Sequence, residues 1–265
     1  MSHLALAPAP GSEAGEAPGR PRASIVVPTL DEVKALSAVL RPLRAAAHRL
    51  GLELIVSDGG STDGTLALAL GLADRLVVHR GPGRQTIAAG RNAGARLASA
   101  DVLLFFNADV GFPPDLDAFL AELIAAAERH GAATCRVAVH PDRARLADRL
   151  VLGTCNALFW GWNRLGLGMG RGECHAVRRD VFEREGGYDE ALVAGEDFDL
   201  YRRIARRARR EGGARIRFLW HRVVYEDPRR YRRRGYARTM LYWLLNSVSV
   251  TLRGRSFSRT WDAVR

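Results

Sequence analysis

The sequence predicts an α/β fold: a mainly parallel central sheet flanked by helices, in a single domain with a helical C-terminal elaboration. Three features of the chain predict it. Apolar strand-like runs alternate with helix-period segments through the first half, which calls for a parallel sheet covered on both faces. The 265 residues suffice for one large core, and 47% hydrophobic with 26% charged residues is ordinary for a globular chain. Acidic residues follow the strand-like runs, so their carboxylates should gather at the carboxyl edge of one sheet, where open α/β sheets bind ligands.

Residues 1–22, rich in Ala, Pro, Gly and Glu, lack the basic start and apolar stretch of a signal peptide and are expected to form a disordered tail. Strands are then expected at 24–28, 53–57, 75–79 and 102–106, and helices at 33–50, 64–72, 85–98 and 114–129, the last opened by Pro114. The second half is less regular. A helix and a Gly-rich loop are read over 142–172, a short strand at 174–177, a turn at Gly186-Gly187, a helix at 196–210 and a strand at 215–225. A basic run at 229–238 precedes an apolar, aromatic helix at 239–252. The organisation expected is thus a tail (1–22), one domain (23–238), and a C-terminal apolar helix with a basic tail (239–265).

The formal net charge is +11, and Lys34 is the only lysine among 40 basic residues. Arginine suits phosphates and carboxylates because its planar fork bonds them bidentately. A coding bias toward Arg would give the same composition, so charge points only to an anionic partner: a nucleotide, a lipid phosphate, a membrane face or nucleic acid. Cys135, Cys155 and Cys174 form no disulfide framework, and a reducing, cytoplasmic compartment is expected. No run reaches the ~20 apolar residues that span a bilayer. A soluble or peripheral protein is expected.

Several polar groups fall where chemistry needs them. Asp58 follows a buried strand in a Gly-rich loop, and its carboxylate could accept from a uracil imide or guanine N1–H; Ser61, Thr62 and Asp63 suit the N-terminus of the next helix. Asn107-Ala108-Asp109 ends the most apolar strand; it is either a plain turn or a carboxylate holding Mg²⁺ or Mn²⁺ beside phosphates. Glu196-Asp197 opens a helix after a glycine, as caps or as a general base near a hydroxyl. Arg84 and Arg91 are phosphate ligands or a solvated helix face, and His221 is a core histidine or a ligand. No G-x-G-x-x-G is present, which argues against a nicotinamide cofactor.

In their order and spacing these segments resemble the family 2 inverting glycosyltransferases with a GT-A fold, of small bacterial type, across residues 24–238. The resemblance implies that Pro28, Thr29 and Glu32 line the nucleotide, that Asp58 reads its base, and that Arg91, with Arg84, packs against it. Asn107, Ala108 and Asp109 stand in place of a D-x-D motif, with Asn107 replacing its first Asp, so that Mg²⁺ or Mn²⁺ would rest on Asp109. Gly172 and Glu173 begin the acceptor-side insert, which runs to Glu190, and Glu196 adjoins the implied base Asp197. Arg229, Arg230 and His221 would meet the diphosphate or the metal.

The implied activity is metal-dependent, inverting transfer from a nucleotide-diphosphate sugar, a UDP-sugar before GDP-mannose or a dTDP-sugar, to an acceptor hydroxyl. A sugar-phosphate nucleotidyltransferase would need a Gly-rich phosphate loop after the first strand, where Pro28-Thr29-Leu30-Asp31 stands instead. A basic nucleic-acid binder would not set carboxylates along its ligand edge, so no nucleic acid is expected. The helix at 239–252, with Trp243 and Tyr242 among arginines, either packs as core or meets the inner face of an anionic membrane beside a lipid-linked acceptor.

Overall fold

The computed structural model describes residues 3–6, 19–213 and 215–258. Its first half follows the apolar runs closely. β2 (Ser24–Thr29), β3 (Glu53–Asp58), β4 (Arg75–His79) and β5 (Val102–Phe106) alternate with α1 (Val33–Leu50), α2 (Thr65–Leu72), α3 (Ile87–Leu97) and α4 (Leu116–His130). β3 and β5 are buried at every position, as strands covered on both faces must be. α1 turns Leu36, Val39, Leu40, Leu43, Ala46 and Ala47 inward at helical spacing, and Gly51, in the left-handed region at φ 63°, ends it.

With β1 (His3–Leu6), β6 (Gly131–Val139), β7 (Cys174–Arg178) and β8 (Arg215–Glu226), the strands of the described residues run in the order β1-β4-β3-β2-β5-β7-β6-β8. β4, β3, β2 and β5 are parallel neighbours. β7 (Cys174–Arg178) pairs antiparallel with β5 and with β6 (Gly131–Val139), and β6 pairs parallel with β8 (Arg215–Glu226). One edge of the sheet therefore carries the carboxyl ends of β2, β3, β5 and β8 and the amino end of β7. α5 (Leu146–Arg164), α6 (Arg179–Arg184), α7 (Glu196–Glu211), α8 (Arg229–Arg234) and α9 (Tyr236–Arg253) complete the fold.

Three expectations are corrected. β6 was not foreseen: Gly131, at φ 92°, turns the chain from α4 directly into a strand of small residues, Gly-Ala-Ala-Thr-Cys, with little β signature. Residues 3–6, placed in a structureless tail, form strand β1 (His3–Leu6), whose backbone pairs antiparallel with the edge of β4; residues 7–18 of that tail lie outside the described residues. The C-terminal helix begins at Tyr236, so the expected boundary between 238 and 239 falls inside α9; residues 259–265 are also outside the described part.

Candidate active site

Two cavities open along the carboxyl edge and share a wall that includes Ile87, Asn107, Asp109 and Arg230. The first, about 390 Å³, lies over β2, β3 and the start of α3 and is lined by Pro28, Thr29, Glu32, Ser57, Arg84 and Arg229 among others. The Thr29 and Ser57 hydroxyls and the Gln85 amide nitrogen are buried there with no hydrogen-bond partner among the described residues. Buried polar groups are normally paired, so three orphans in one wall fit a polar ligand that completes them. Gly94 brings α3 close beneath this floor, since a Cβ there would meet Val26 Cγ1 at 2.4 Å. The Gly-Arg-Asn-Ala-Gly segment thus packs helix on strand where a larger residue would push them apart.

Asp58 is held differently from the base reader implied by the family resemblance. It is fully buried, accepts from the Gly60 and Ser61 amides (2.9 and 2.8 Å) and the Ser61 hydroxyl (2.6 Å), and does not line the first cavity. Its two oxygens fold the loop from inside. Asp63 bonds the Thr65 amide at the start of α2 (3.0 Å) and reaches the Val33 amide at the start of α1 (3.2 Å), so it joins two helix N-termini.

Asn107 and Asp109 follow β5 and divide their tasks. The Asn107 carbonyl oxygen accepts from Arg91 Nη2 at 2.9 Å, which turns it away from cation duty. Asp109, with a side chain 40% exposed, stands in the wall shared by both cavities with Arg229 Nη2 at 3.5 Å. Burial first, and then the charges of Glu173 and Asp227, push its carboxyl up against the opposing pull of Arg229. No group of three His, Cys, Asp or Glu side chains forms a metal cage among the described residues. One carboxylate in surplus negative potential instead fits a hard divalent ion that takes its other ligands from phosphates and water. Ala108 is buried behind the turn.

Arg91 is the hub beneath both cavities. Its guanidinium, 1% exposed, pairs with Glu196 Oε1 at 2.7 Å, donates to Asn107 Oδ1 and the Gly172 carbonyl (2.9 Å each), and lies over the Tyr188 ring. It lines the second cavity rather than the first, so it ties the end of β5 to the start of α7 and to the Gly172 loop.

The second cavity, about 200 Å³, is lined by Gly172, Glu173, Glu196, Asp197, Glu226, Asp227, Tyr242 and Trp243 among others. Gly195, at φ 84°, turns the chain into α7 so that Glu196 and Asp197 fall in its first turn. Glu196 is spent on Arg91. Asp197 accepts from the Phe198 amide at 2.7 Å, and its carboxyl is pushed up to about 7, by burial first and by the Glu196 charge, with Arg91 opposing. A carboxylate poised there is basic enough to take a hydroxyl proton. Behind it, Arg171 pairs with Glu173 (3.1 Å) and Glu226 (2.7 Å), and the Tyr231 hydroxyl donates to Glu226 (2.7 Å). Burial pushes the Glu226 carboxyl up to about 8 even so, with Arg171 opposing and Glu173 adding to the rise.

His221 lines neither cavity. Between Cys135 and Arg136 the register of β6 on β8 jumps from Leu219 to Val223, and the bulged residues Trp220, His221 and Arg222 leave the ladder. His221, 64% exposed, pairs with Glu122 of α4 at 2.6 Å. Arg229 and Arg230 do reach the first cavity. Arg171, Glu226 and Asp227 escaped the sequence reading, yet Glu226-Asp227 repeats its own signal, acidic residues directly after a strand. Arg171 stands alone among the glycines of its loop, which was a second usable sign.

α9 carries its polarity inside out. Thr239, Asn246 and Ser249 are buried, with Asn246 donating to the Ala194 carbonyl at 2.9 Å. Leu241, Leu244, Leu245, Val248 and Leu252 face outward. α5 likewise exposes Leu146, Leu150 and Leu158, four and then eight residues apart. Of the two alternatives for this helix, packing as core applies to Val250, which is buried, and to Tyr236, Met240 and Trp243, which pack against Tyr231 and its neighbours. No described helix is long and apolar enough to cross a membrane.

The arrangement has known counterparts. The chain is 29% identical over 198 residues to the succinoglycan biosynthesis protein ExoA of Rhizobium meliloti, covering 69% of this chain and 57% of that protein. It is 30% identical over 207 residues to the O-antigen biosynthesis protein RfbC of Myxococcus xanthus, covering 70% of this chain and 16% of that one. Thus the chain spans about half of the first relative and a small part of the second. Among solved structures, the mannosyltransferase PcManGT of Pyrobaculum calidifontis, in complex with GDP-Man and Mn²⁺, superposes with a TM-score of 0.65 at 23% identity over 94% of this chain and 67% of that one. The glucosyl-3-phosphoglycerate synthase of Mycobacterium tuberculosis, with Mn²⁺, UDP and phosphoglyceric acid, gives 0.56 at 20% identity over 86% and 78%. At such identities the structures establish a shared GT-A fold. The sequence model of Glycosyl transferase family 2 matches residues 24–186, from the first buried strand to the turn that follows α6, and the chain belongs to that family.

Proposed function

We propose that the protein transfers a sugar, with inversion, from a nucleotide-diphosphate sugar in the first cavity to an acceptor hydroxyl in the second. The observation that carries this is the shared wall at Asn107 and Asp109, which puts the two cavities in contact with Asp197 lining the acceptor one. Asp197 takes the hydroxyl proton, the oxygen bonds to the anomeric carbon from the acceptor side, and the bond to the diphosphate breaks on the other. Arg229 and Arg230, with Arg84 at the rim, face the leaving group's charge. Mg²⁺ or Mn²⁺, held by Asp109 and the donor's own phosphates, would neutralise part of that charge when bound. A UDP-sugar is the first donor to test. PcManGT, whose structure holds GDP-Man, puts a GDP-sugar beside it.

The second partner proposed is an anionic membrane surface. The outward leucines of α5 and α9 lie among Arg145, Arg149, Arg238, Arg253 and Arg255, and the same two helices contribute Phe159, Tyr242 and Trp243 to the acceptor cavity. An apolar face rimmed with cations suits a headgroup boundary and would bring a lipid-linked acceptor to Asp197. Thermal protection by UDP and GDP, with and without Mn²⁺, followed by a hydrolysis screen across nucleotide sugars, tests the donor half. Protection by neither nucleotide and no sugar released would sink it.

A further inference from the structure

Arg171, Gly172 and Glu173 line the acceptor cavity side by side, and the middle residue borders Asp197: a Cβ built on Gly172 would stand 3.5 Å from Asp197 Oδ2. The flanking side chains are tied to each other, Arg171 Nη2 donating to Glu173 Oε1 at 3.1 Å. The same nitrogen donates to Glu226 Oε2 (2.7 Å) and to the Tyr231 hydroxyl (3.2 Å), so it is fully engaged. The far ends are not. Arg171 Nη1 and Glu173 Oε2 are buried and find no hydrogen-bond partner among the described residues, on an arginine side chain only 8% exposed. The Trp243 ring, 4.9 Å from the guanidinium carbon, holds the plane of that fork. The Glu226 carboxyl bonds Glu173 while it carries a proton, and a carboxylate still has lone pairs to spare.

An open donor beside an open acceptor selects a class of ligand. An ionised phosphate or carboxylate offers acceptors alone and leaves Glu173 Oε2 unmet, an ammonium offers donors alone, and a hydroxyl offers both. The charge of the cavity agrees. Six carboxyl-bearing residues line it against three arginines, Arg91, Arg171 and Arg230, so an anionic acceptor group would add to a surplus already there. Phe159, Met169, Tyr242 and Trp243 give the same space an apolar side. A pyranose ring matches that mixture, with hydroxyls at its edge and C–H groups on its faces. We propose that the group entering the second cavity is an uncharged sugar ring, and that Arg171 and Glu173 bind one of its hydroxyls so that another is presented to Asp197. The proposal deepens the acceptor assignment and rests on it. Arg171 and Glu173 take no part in bond making; they decide which hydroxyl reacts. Glu226 and Tyr231 brace Arg171 from behind, so its fork does not follow a misplaced ring. Arg91 bonds both the Gly172 carbonyl (2.9 Å) and Glu196 (2.7 Å), which puts the hydroxyl reader and the base on one scaffold.

Binding to the full chain is titrated by NMR, with and without UDP or GDP and Mn²⁺. The probes are methyl glycosides of neutral hexoses, their monodeoxy analogues, a methyl glucuronide and a hexose 6-phosphate. The wild type should bind at least one neutral glycoside about tenfold or more tighter than either anionic probe. One deoxy position should cost at least about tenfold, because it leaves the Arg171–Glu173 pair unmet. Glu173→Gln keeps the size of the side chain but turns an NH₂ toward the ligand once its oxygen faces Arg171. In that variant the penalty of the same deoxy position should shrink to about twofold while the others stand, a coupling that a general loss of structure does not produce. Anionic probes that bind as tightly as neutral ones, or a deoxy series with no sensitive position, overturn the proposal. So does a sensitive position whose penalty survives in both Glu173→Gln and Arg171→Lys. If neither variant folds, the wild-type series decides. A wild type that binds no glycoside also overturns the proposal, and nucleotide binding that persists there leaves the donor reading standing. The expected glycoside pattern in a protein that binds neither nucleotide keeps the sugar subsite and sinks the donor reading instead.

Discussion

The two cavities that meet at Asp109 are built from different materials. The donor-side wall sets neutral groups at the strand ends, the Thr29 and Ser57 hydroxyls still waiting for a partner, beside the charged side chains of Glu32, Arg84 and Arg229. The acceptor-side wall is made of charges already committed to one another: Arg91 with Glu196, Arg171 with Glu173 and Glu226. The neutral groups left open there gain their hydrogen bonds only when a ligand arrives, so they can select. A prepaired wall holds its charges fixed, so it can set the basicity of the one carboxylate left over, Asp197.

The sharpest way to break this contrast is Asp197→Asn. Transfer should fall about 10²–10⁴-fold with nucleotide affinity unchanged by calorimetry, since the amide keeps the shape and loses the base. Near-normal turnover would return Asp197 to helix capping. In the unmodified enzyme the transfer rate should rise with pH through about 7 and then level off, falling roughly tenfold per unit below it. Stability should move the other way. The folded carboxyls of Asp197 and Glu226 titrate at about 7 and about 8, above ordinary carboxylates, so the fold binds extra protons between the ordinary carboxylate range and those values. That contribution is present at the acid end and lost as pH rises through 7 to 8. A melting temperature that climbs across that interval would contradict both assignments.

Asp109→Ala should remove most of the gain in nucleotide affinity that Mn²⁺ brings, about tenfold, and leave metal-free binding nearly untouched. Retention of the full gain would put the ion elsewhere. Asp58→Ala sharpens the donor side. A carboxylate folded into its own loop should, when lost, cost about 1–3 kcal/mol of stability and weaken uridine, guanosine and adenosine nucleotides alike. A loss confined to one base would restore it as a base reader. The smallest effect expected is on the outer face: Leu241→Ser/Leu244→Ser should reduce flotation with anionic vesicles several-fold and leave donor hydrolysis intact. Unchanged flotation would remove α9 from membrane contact.

The first half of the fold was legible because its strands are continuous apolar runs and its helices carry long periodic faces. β6 was not, because its opening small residues have neither signature and a single glycine makes the turn before it. Among site residues, Asp109 and Asp197 could be placed from their positions after a strand and at a helix start. Local position could not show that Arg91 runs under the acceptor cavity, since its partners lie up to 105 residues away. His221 was misplaced for a related reason: a bulge, which alternation cannot reveal, lifts it from the ladder. The buried polar face of α9 defeated a simple rule as well, because an apolar stripe reads the same whether it points in or out.

That inverted helix has a consequence for the protein's behaviour as a colloid. A row of leucines on α9 and another on α5 meet water directly whenever nothing covers them. Contiguous apolar surface of this kind drives molecules together, while a formal charge of +11 drives them apart over a Debye length of about 10 Å at 0.1 M salt. Purified in low salt, the chain should stay dispersed by its own charge. Raising the salt screens that charge and leaves the leucines in control, so the protein should associate reversibly as ionic strength increases and disperse again with a mild nonionic detergent.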